Sequence, residues 1–209
     1  MNILDQLSSR RGDKTEESNR KVAEFCITAP EYLKTIIAAL DDGDSSLASD
    51  CIEVCTLVSE RDPSLTAPYT VSFFPLLESS VTKIRWEAAH ALAYTALPAA
   101  QEIDRNMPLL RKTVENDKST IVRDYVLDAV ANFAQAGEQQ ASAAYPVLKS
   151  ALDIWGEKHG KQVLKGMQNV LQHCPLLKTE LAATAESLLT AKKGVIVKEA
   201  KKLLKVCGK

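Results

Sequence analysis

The sequence predicts an all-α fold built from repeated pairs of helices, and three observations support this prediction. Apolar residues recur at helical spacing along most of the 209-residue chain, which only 8 Gly and 8 Pro interrupt. A helix-like segment returns about every 37 residues. A proline followed by two apolar residues also recurs, independently of that segment. Together they predict a stack of similar helical units.

The first recurring segment defines one helix of each pair. Residues 83–96 (KIRWEAAHALAYTA) align with residues 121–134 (IVRDYVLDAVANFA) at an offset of 38, so that Arg85 matches Arg123. Residues 48–58 give an earlier copy at an offset of 37, and residues 197–204 give a later one at twice that offset. Residues 160–174 are a weaker copy. Each copy predicts an amphipathic helix.

The prolines mark the second helix of each pair. Pro75, Pro108 and Pro146 lie in FFPLL, NMPLL and AYPVL, spaced by 33 and 38 residues. Proline is tolerated in the first turn of a helix, where the N–H has no partner within the helix. Each proline therefore either begins the second helix or kinks one that starts earlier.

Short polar links rich in Asp, Ser, Thr and Gly separate the helices, and Asp44, Ser119 and Thr120 are candidate N-cap or first-turn residues. Since neither helix of a pair can bury its apolar face alone, the pairs must stack on one continuous core. We expect a single repeat domain over residues 1–209, with an N-terminal segment at 1–14. The repeats are expected at about 15–43, 44–80, 81–117, 118–156 and 157–209, the last with a C-terminal capping helix.

The segment DKSTIVR places Asp117 six residues before Arg123, and with the repeat it resembles the HEAT-repeat family of HEAT/armadillo-like α-solenoids over about residues 15–207. The resemblance implies a right-handed α-solenoid of about five HEAT-like helix pairs. It also implies that Asp117, Arg123 and Arg85 form a polar ladder between neighbouring units. The pattern is partial, because Ser79 stands where an Asp would precede Arg85.

The same resemblance implies the function of a non-catalytic scaffold that presents a concave surface to a protein partner. The second helices would line that surface. Polar residues that follow the prolines are then the candidate partner-binding residues, with ordinary solvated surface as the alternative: Glu78, Arg111, Lys112, Glu115, Lys149 and Asp153.

The charge distribution suggests other possibilities. Residues 1–148 carry 14 Lys+Arg against 22 Asp+Glu, whereas residues 149–209 carry 12 against 5. A lysine stripe lies at helical spacing near the end of the chain: Lys198, Lys201, Lys202 and Lys205, preceded by Lys192 and Lys193. The stripe is either a solubilising polar cap or a site for phosphate or an acidic protein.

The basic region leaves two alternatives to a protein-binding scaffold open. The first is a nucleic-acid-binding protein similar to the HEAT-like DNA glycosylases, which would use the basic C-terminal third. The second is a fragment of a larger protein or an accessory subunit. Because the acidic and basic parts of the chain carry opposite charges, such a subunit would be able to associate head to tail with further copies.

Neither a catalytic nor a metal-binding motif appears in the sequence. It contains no GxxxxGK[ST], GxGxxG, GxSxG or HExxH pattern. Cys51 and Cys55 have i,i+4 spacing, but they align with the core positions Ala88 and Leu92, so we expect buried thiols and no metal or cofactor. The absence of a long apolar run and the odd number of cysteines favour a cytoplasmic protein without a membrane span, with the nucleus as an open alternative.

Overall fold

The computed structural model describes residues 2–208, and in that range it contains helices, turns and no β-strand. The prediction of an all-α fold is therefore confirmed. The chain divides into two compact units after Glu102, within the short helix α7 (Ala100–Arg105).

The first unit contains six further α-helices and four 3-10 segments among its described residues. The α-helices are α1 (Ser8–Arg11), α2 (Glu17–Thr28), α3 (Glu31–Ala38), α4 (Ser45–Arg61), α5 (Pro63–Thr66) and α6 (Thr82–Thr95). The 3-10 segments are Ile3–Gln6, Ala39–Asp41, Ala67–Phe73 and Pro75–Glu78.

Helix α4 is the centre of the first unit, since it packs against α2 on one side and α6 on the other. Asp44 caps its N-terminus by accepting hydrogen bonds from the N–H groups of Ser46 and Leu47, as predicted. Cys51 and Cys55 have no exposed surface and pack in the core, also as predicted. Burial raises the pKa of Cys51 to about 12, which keeps this thiol protonated.

Buried polar groups attach the N-terminal segment to α2 and α4. The side chain of Asn19 accepts a hydrogen bond from the Ser8 N–H (2.9 Å) and donates to Asp50 (3.0 Å) and Glu53 (3.1 Å). Asp50 also accepts from the Ser9 N–H at 2.7 Å. Because each of these groups has a partner, the polar cluster fixes α1 on the unit at little desolvation cost.

The second unit contains six α-helices after α7. They are α8 (Met107–Asn116), α9 (Thr120–Phe133), α10 (Glu138–Trp155), α11 (Gly160–His173), α12 (Lys178–Ser187) and α13 (Gly194–Val206). Three 3-10 segments connect them: Ala134–Ala136, Gly156–His159 and Pro175–Leu177.

Helix α11 lies between α9 and α13, and these three helices form one layer of the second unit. Helix α10 packs against α9 and α11, and α12 packs against α11 and α13, which makes a second layer. At Gly166 the layers approach so closely that an added Cβ would lie 2.7 Å from Leu148 and 3.1 Å from Ala131. Glycine therefore permits the close packing of α11 on α9 and α10.

The prolines have different roles from one repeat to the next. Pro108 lies in the first turn of α8, as expected, and Pro146 lies inside the 18-residue α10. Pro75 also begins a helical segment, but this segment is a 3-10 helix and not an α-helix, and the 3-10 segment before it contains Pro68. Two prolines this close remove N–H donors that an α-helix needs.

The repeats also contain more than a simple pair of helices. Helix α5 follows α4 directly after Asp62, and α7 stands between α6 and α8. The sequence did not predict these short helices, because four to six residues are too few to show helical periodicity.

Candidate partner-binding surface

Two arginines make the same local contact at the start of α6 and α9. The Nη1 of Arg85 donates to the backbone oxygen of Ser79 at 2.9 Å, and the Nη1 of Arg123 donates to the backbone oxygen of Asp117. Since the acceptor is a carbonyl group, a serine serves at this position as well as an aspartate does. The Asp117 carboxylate itself accepts from the Ser119 N–H at 2.7 Å, within the turn before α9.

Arg123 makes a further contact, which the sequence did not predict. Its Nε donates to Nε2 of His159 at 3.0 Å, and its guanidinium carbon lies 3.9 Å from the centre of the Trp155 ring. Nδ1 of His159 is 2.6 Å from Asp124. His159 is fully buried, although the sequence placed it in a polar link. The polar connection from α9 to the residues before α11 thus runs through this histidine.

Ion pairs within the second unit include three of the candidate partner-binding residues, Arg111, Glu115 and Lys149. Arg111 pairs with Glu115 at 2.8 Å on α8. Lys149 pairs with Glu180 of α12 and lies 5.9 Å from the ring of Tyr145. Lys112 and Asp153 are exposed on α8 and α10, and Glu78 is exposed at the end of a 3-10 segment in the first unit. The exposed Arg111–Glu115 and Lys149–Glu180 ion pairs contribute little to stability, so these side chains can exchange partners when a ligand binds.

The layer of α9, α11 and α13 presents a row of charged residues at equivalent positions. Asp128, Lys165 and Lys202 follow one another at intervals of 37 residues, one on each helix. Burial raises the pKa of Asp128 to about 6, and the charges of Lys165 and Lys161 oppose this rise. The charge of Lys165 also lowers the pKa of Glu199 on α13, so this lysine is close to carboxylates of two different helices.

Glu199 is the buried acidic group at the α13 end of this row. It accepts hydrogen bonds from Lys202 (2.7 Å) and Gln168 (3.3 Å). Burial acts to raise the pKa of Glu199, but these two hydrogen bonds together with the positive charges of Lys202 and Lys165 hold the pKa below its ordinary value. Next to it, the Asn169 amide donates to the backbone oxygen of Ala131 at 2.8 Å and ties α11 to α9.

The lysine stripe lies along the exposed surface of α13. A recess of about 460 Å³ is lined by Gly194, Val197, Lys198, Lys201, Lys202 and Lys205. Lys202 pairs with Glu199, whereas the other three lysines form no ion pair with any described residue. Lys192 and Lys193 are exposed in the turn before α13, where the Lys192 N–H donates to Glu157 at 3.0 Å.

The equivalent helices of the first unit carry a different chemistry. Lys83 bridges Glu53 (2.9 Å) and Glu16 (3.1 Å). Farther along α6, the rings of His90 and Tyr94 stack with their centres 4.8 Å apart. Burial raises the pKa of Glu53 and lowers the pKa of His90. The first unit thus offers paired charges and aromatic surface.

No group of three or more His, Cys, Asp and Glu side chains among residues 2–208 has the geometry of a metal site. No helix in that range combines the length and the apolar character that crossing a membrane requires.

Comparison with known proteins identifies the architecture. No protein-family model and no curated protein matches the sequence. Among solved structures, a designed armadillo repeat protein superposes with a TM-score of 0.71 at 19% identity, covering 98% of each chain. A designed armadillo repeat protein in complex with the peptide (KR)4 gives 0.76 at 20% identity over 97% of each chain. The chain has an armadillo-like α-solenoid fold.

The armadillo-like fold confirms the α-solenoid that the repeat predicted. A third solved structure, of computationally designed armadillo repeat proteins for modular peptide recognition, agrees, with a TM-score of 0.69 at 19% identity over 97% of each chain. At this level of identity the likeness establishes the fold alone, and the function has to be argued from the surface.

Proposed function

We propose that this armadillo-like protein is a non-catalytic scaffold that binds a segment of a protein partner. The proposal rests on the row formed by Asp128, Lys165 and Lys202. These residues occupy the equivalent position on three neighbouring helices, α9, α11 and α13. A surface built from equivalent positions presents side chains at regular intervals. A polypeptide segment, which also repeats at regular intervals, is a suitable ligand for it.

The solved neighbours support a peptide as the ligand. One designed armadillo repeat protein holds the peptide (KR)4, and another was designed for modular peptide recognition. We extend this property to the present chain because the fold is shared over nearly its whole length.

The charge of this chain determines the kind of peptide. Residues 1–102 carry 9 Lys+Arg against 16 Asp+Glu, and residues 103–209 carry 17 against 11. The second unit therefore has a net positive charge, which favours a negatively charged peptide. Opposite charges speed the association of two molecules, and like charges disfavour it. The nucleic-acid alternative gains no such support, since α13 has no aromatic residue on which a base could stack.

Selection from a random peptide library tests the proposal. The full-length protein is immobilised, and an unrelated helical protein of similar charge serves as the control. We expect peptides to be enriched on this protein alone and to bind in solution with micromolar affinity. Enrichment no greater than on the control protein would reject the scaffold function.

A further inference from the structure

We propose that the exposed face of α13 binds an acidic peptide segment in which an apolar residue lies between two carboxylates. The inference rests on the proposed function and deepens it, because it names the site and the chemistry of the partner. It depends on unpaired positive charge, on an exposed apolar floor and on the spacing of the lysines.

The positive charge of α13 is not balanced within the described part of the protein. The helix has four lysines and a single acidic residue, Glu199. Glu199 is buried and already accepts from Lys202 and Gln168. Lys198, Lys201 and Lys205 are exposed and form no ion pair with residues 2–208. Three neighbouring cations on one helix face repel one another, and a ligand with negative charge relieves that repulsion.

The lysines surround apolar surface rather than other polar groups. Val197 and Gly194 line the recess together with the lysines, and a Cβ added to Gly194 would meet open space beyond its own helix and its chain neighbours. Elsewhere on the same helix, Val195 is 43% exposed and Val206 is 54% exposed. A helix that served only as a solubilising cap would not need exposed valines. Apolar surface next to cations suits a ligand that is both acidic and apolar.

The dimensions of the stripe fit an extended segment. Lys198 and Lys205 are seven residues apart, which corresponds to about 10 Å along a helix axis. An extended chain covers about 10 Å in three residues. Carboxylates at positions i and i+3 can therefore reach both lysines, and an apolar residue of the same segment can contact Val197, which lines the recess next to Lys198.

The valines also distinguish a peptide from a nucleic acid. A phosphate backbone would use the lysines but gain nothing from the apolar floor. An acidic peptide uses both, so the observations favour the peptide.

Fluorescence anisotropy with a labelled eight-residue peptide that contains Glu-Leu-Phe-Glu tests the inference. We expect binding in 50 mM salt, and no binding of the matched peptide that contains Gln-Leu-Phe-Gln. The double variant Lys198→Glu/Lys205→Glu should weaken binding at least about tenfold, as reversal of the two lysines that the carboxylates reach requires. Val197→Ser should weaken it about threefold. Circular dichroism and thermal unfolding show that each variant is folded.

Lys118→Glu is the matched control, because Lys118 is an exposed lysine of the second unit in the turn before α9. We expect it to bind within about twofold of the wild-type protein. Equal binding by the double variant and the wild type would overturn the inference. Binding of the Gln peptide as tight as that of the Glu peptide would overturn it as well. Tighter binding of a 20-base-pair DNA duplex than of the Glu peptide would assign the stripe to nucleic acid.

The library selection separates this inference from the proposed function. If selected peptides bind the wild type and the double variant alike, the site on α13 is wrong and the scaffold function stands. If the wild-type protein selects no peptide, both proposals fail.

Discussion

Arg123 donates from Nε to Nε2 of His159 at 3.0 Å, across 36 residues of sequence and within the buried interior of the second unit. The opposite nitrogen of the ring lies 2.6 Å from Asp124, so the histidine connects a guanidinium and a carboxylate of the same helix, α9. The contact fixes the residues before α11 on α9. The relative position of these helices therefore depends on a polar group in the core.

Replacing His159 by leucine should destabilise the protein by about 2–4 kcal/mol, because Arg123 would lose an acceptor and remain buried. Urea unfolding followed by circular dichroism measures the difference. His173→Leu is the control, since His173 lies half-buried at the end of α11, and it should change the free energy by less than about 0.5 kcal/mol. Equal effects of the two substitutions would mean that the contact has no special role.

Asp128→Asn should stabilise the protein at neutral pH but not in acid. Burial raises the pKa of Asp128 to about 6, above that of an unfolded aspartate, so the folded protein resists ionisation of this group. Stability is unaffected while both states are protonated and falls as pH rises from about 4 to above 6. Because one pKa unit corresponds to about 1.4 kcal/mol, the ionised group costs the folded state roughly 2–3 kcal/mol at pH 7.

Urea unfolding at pH 4.5, 5.5, 6.5 and 7.5 tests this prediction. The difference in the free energy of unfolding between Asp128→Asn and the wild type should grow with pH. The negative charge of Asp124 adds to the raised pKa of Asp128, whereas the positive charges of Lys161 and Lys165 reduce it without cancelling it. Asp153→Asn is the control at an exposed position of α10. A difference for Asp128→Asn that stays constant over this range would contradict the assignment.

Asn19→Leu should loosen the N-terminal segment. The substitution removes the acceptor for the Ser8 N–H and the donor to Asp50 and Glu53, all of which lie in a buried cluster. We expect a loss of about 3 kcal/mol and faster proteolytic cleavage near α1, since unpaired buried polar groups are costly. Limited proteolysis with mass spectrometry measures the cleavage. Asn116→Leu, at an exposed residue, should leave both quantities unchanged, and unchanged cleavage in Asn19→Leu would refute the prediction.

Gly166→Ala and Gly194→Ala form a matched pair. A methyl group at Gly166 would overlap with Leu148 and crowd Ala131, and overpacking of this kind costs about 1–3 kcal/mol. The same change at Gly194 meets open space at the start of α13 and should be neutral or slightly stabilising. Thermal unfolding distinguishes them. Equal melting temperatures for the two variants would show that α11 does not pack closely at Gly166.

The repeat and the helical class were predictable from the sequence because they depend on local spacing. The segments around Arg85 and Arg123 align in sequence, and both begin a helix with the same contact to a carbonyl six residues earlier. Asp44 was also predictable as a cap, since an N-cap depends only on neighbouring residues.

The buried polar contacts were not predictable, because they join residues that are distant in sequence. His159 lies among Gly, Glu and Lys, which is typical of an exposed link, and only the fold brings it to Arg123. Asn19 and Asp50 are similarly 31 residues apart. The row of Asp128, Lys165 and Lys202 had a sequence signal in the regular interval of 37 residues, but recognising it requires knowing which face of each helix is exposed.

Hydrogen exchange of the full-length protein, with and without the Glu-Leu-Phe-Glu peptide, shows directly whether an acidic peptide binds to α13. We expect bound peptide to slow amide exchange in α13 and in the adjoining part of α11, and we expect Lys198→Glu/Lys205→Glu to remove this protection. Protection confined to other helices, or protection that survives in the double variant, would show that the peptide does not bind to the lysines of α13.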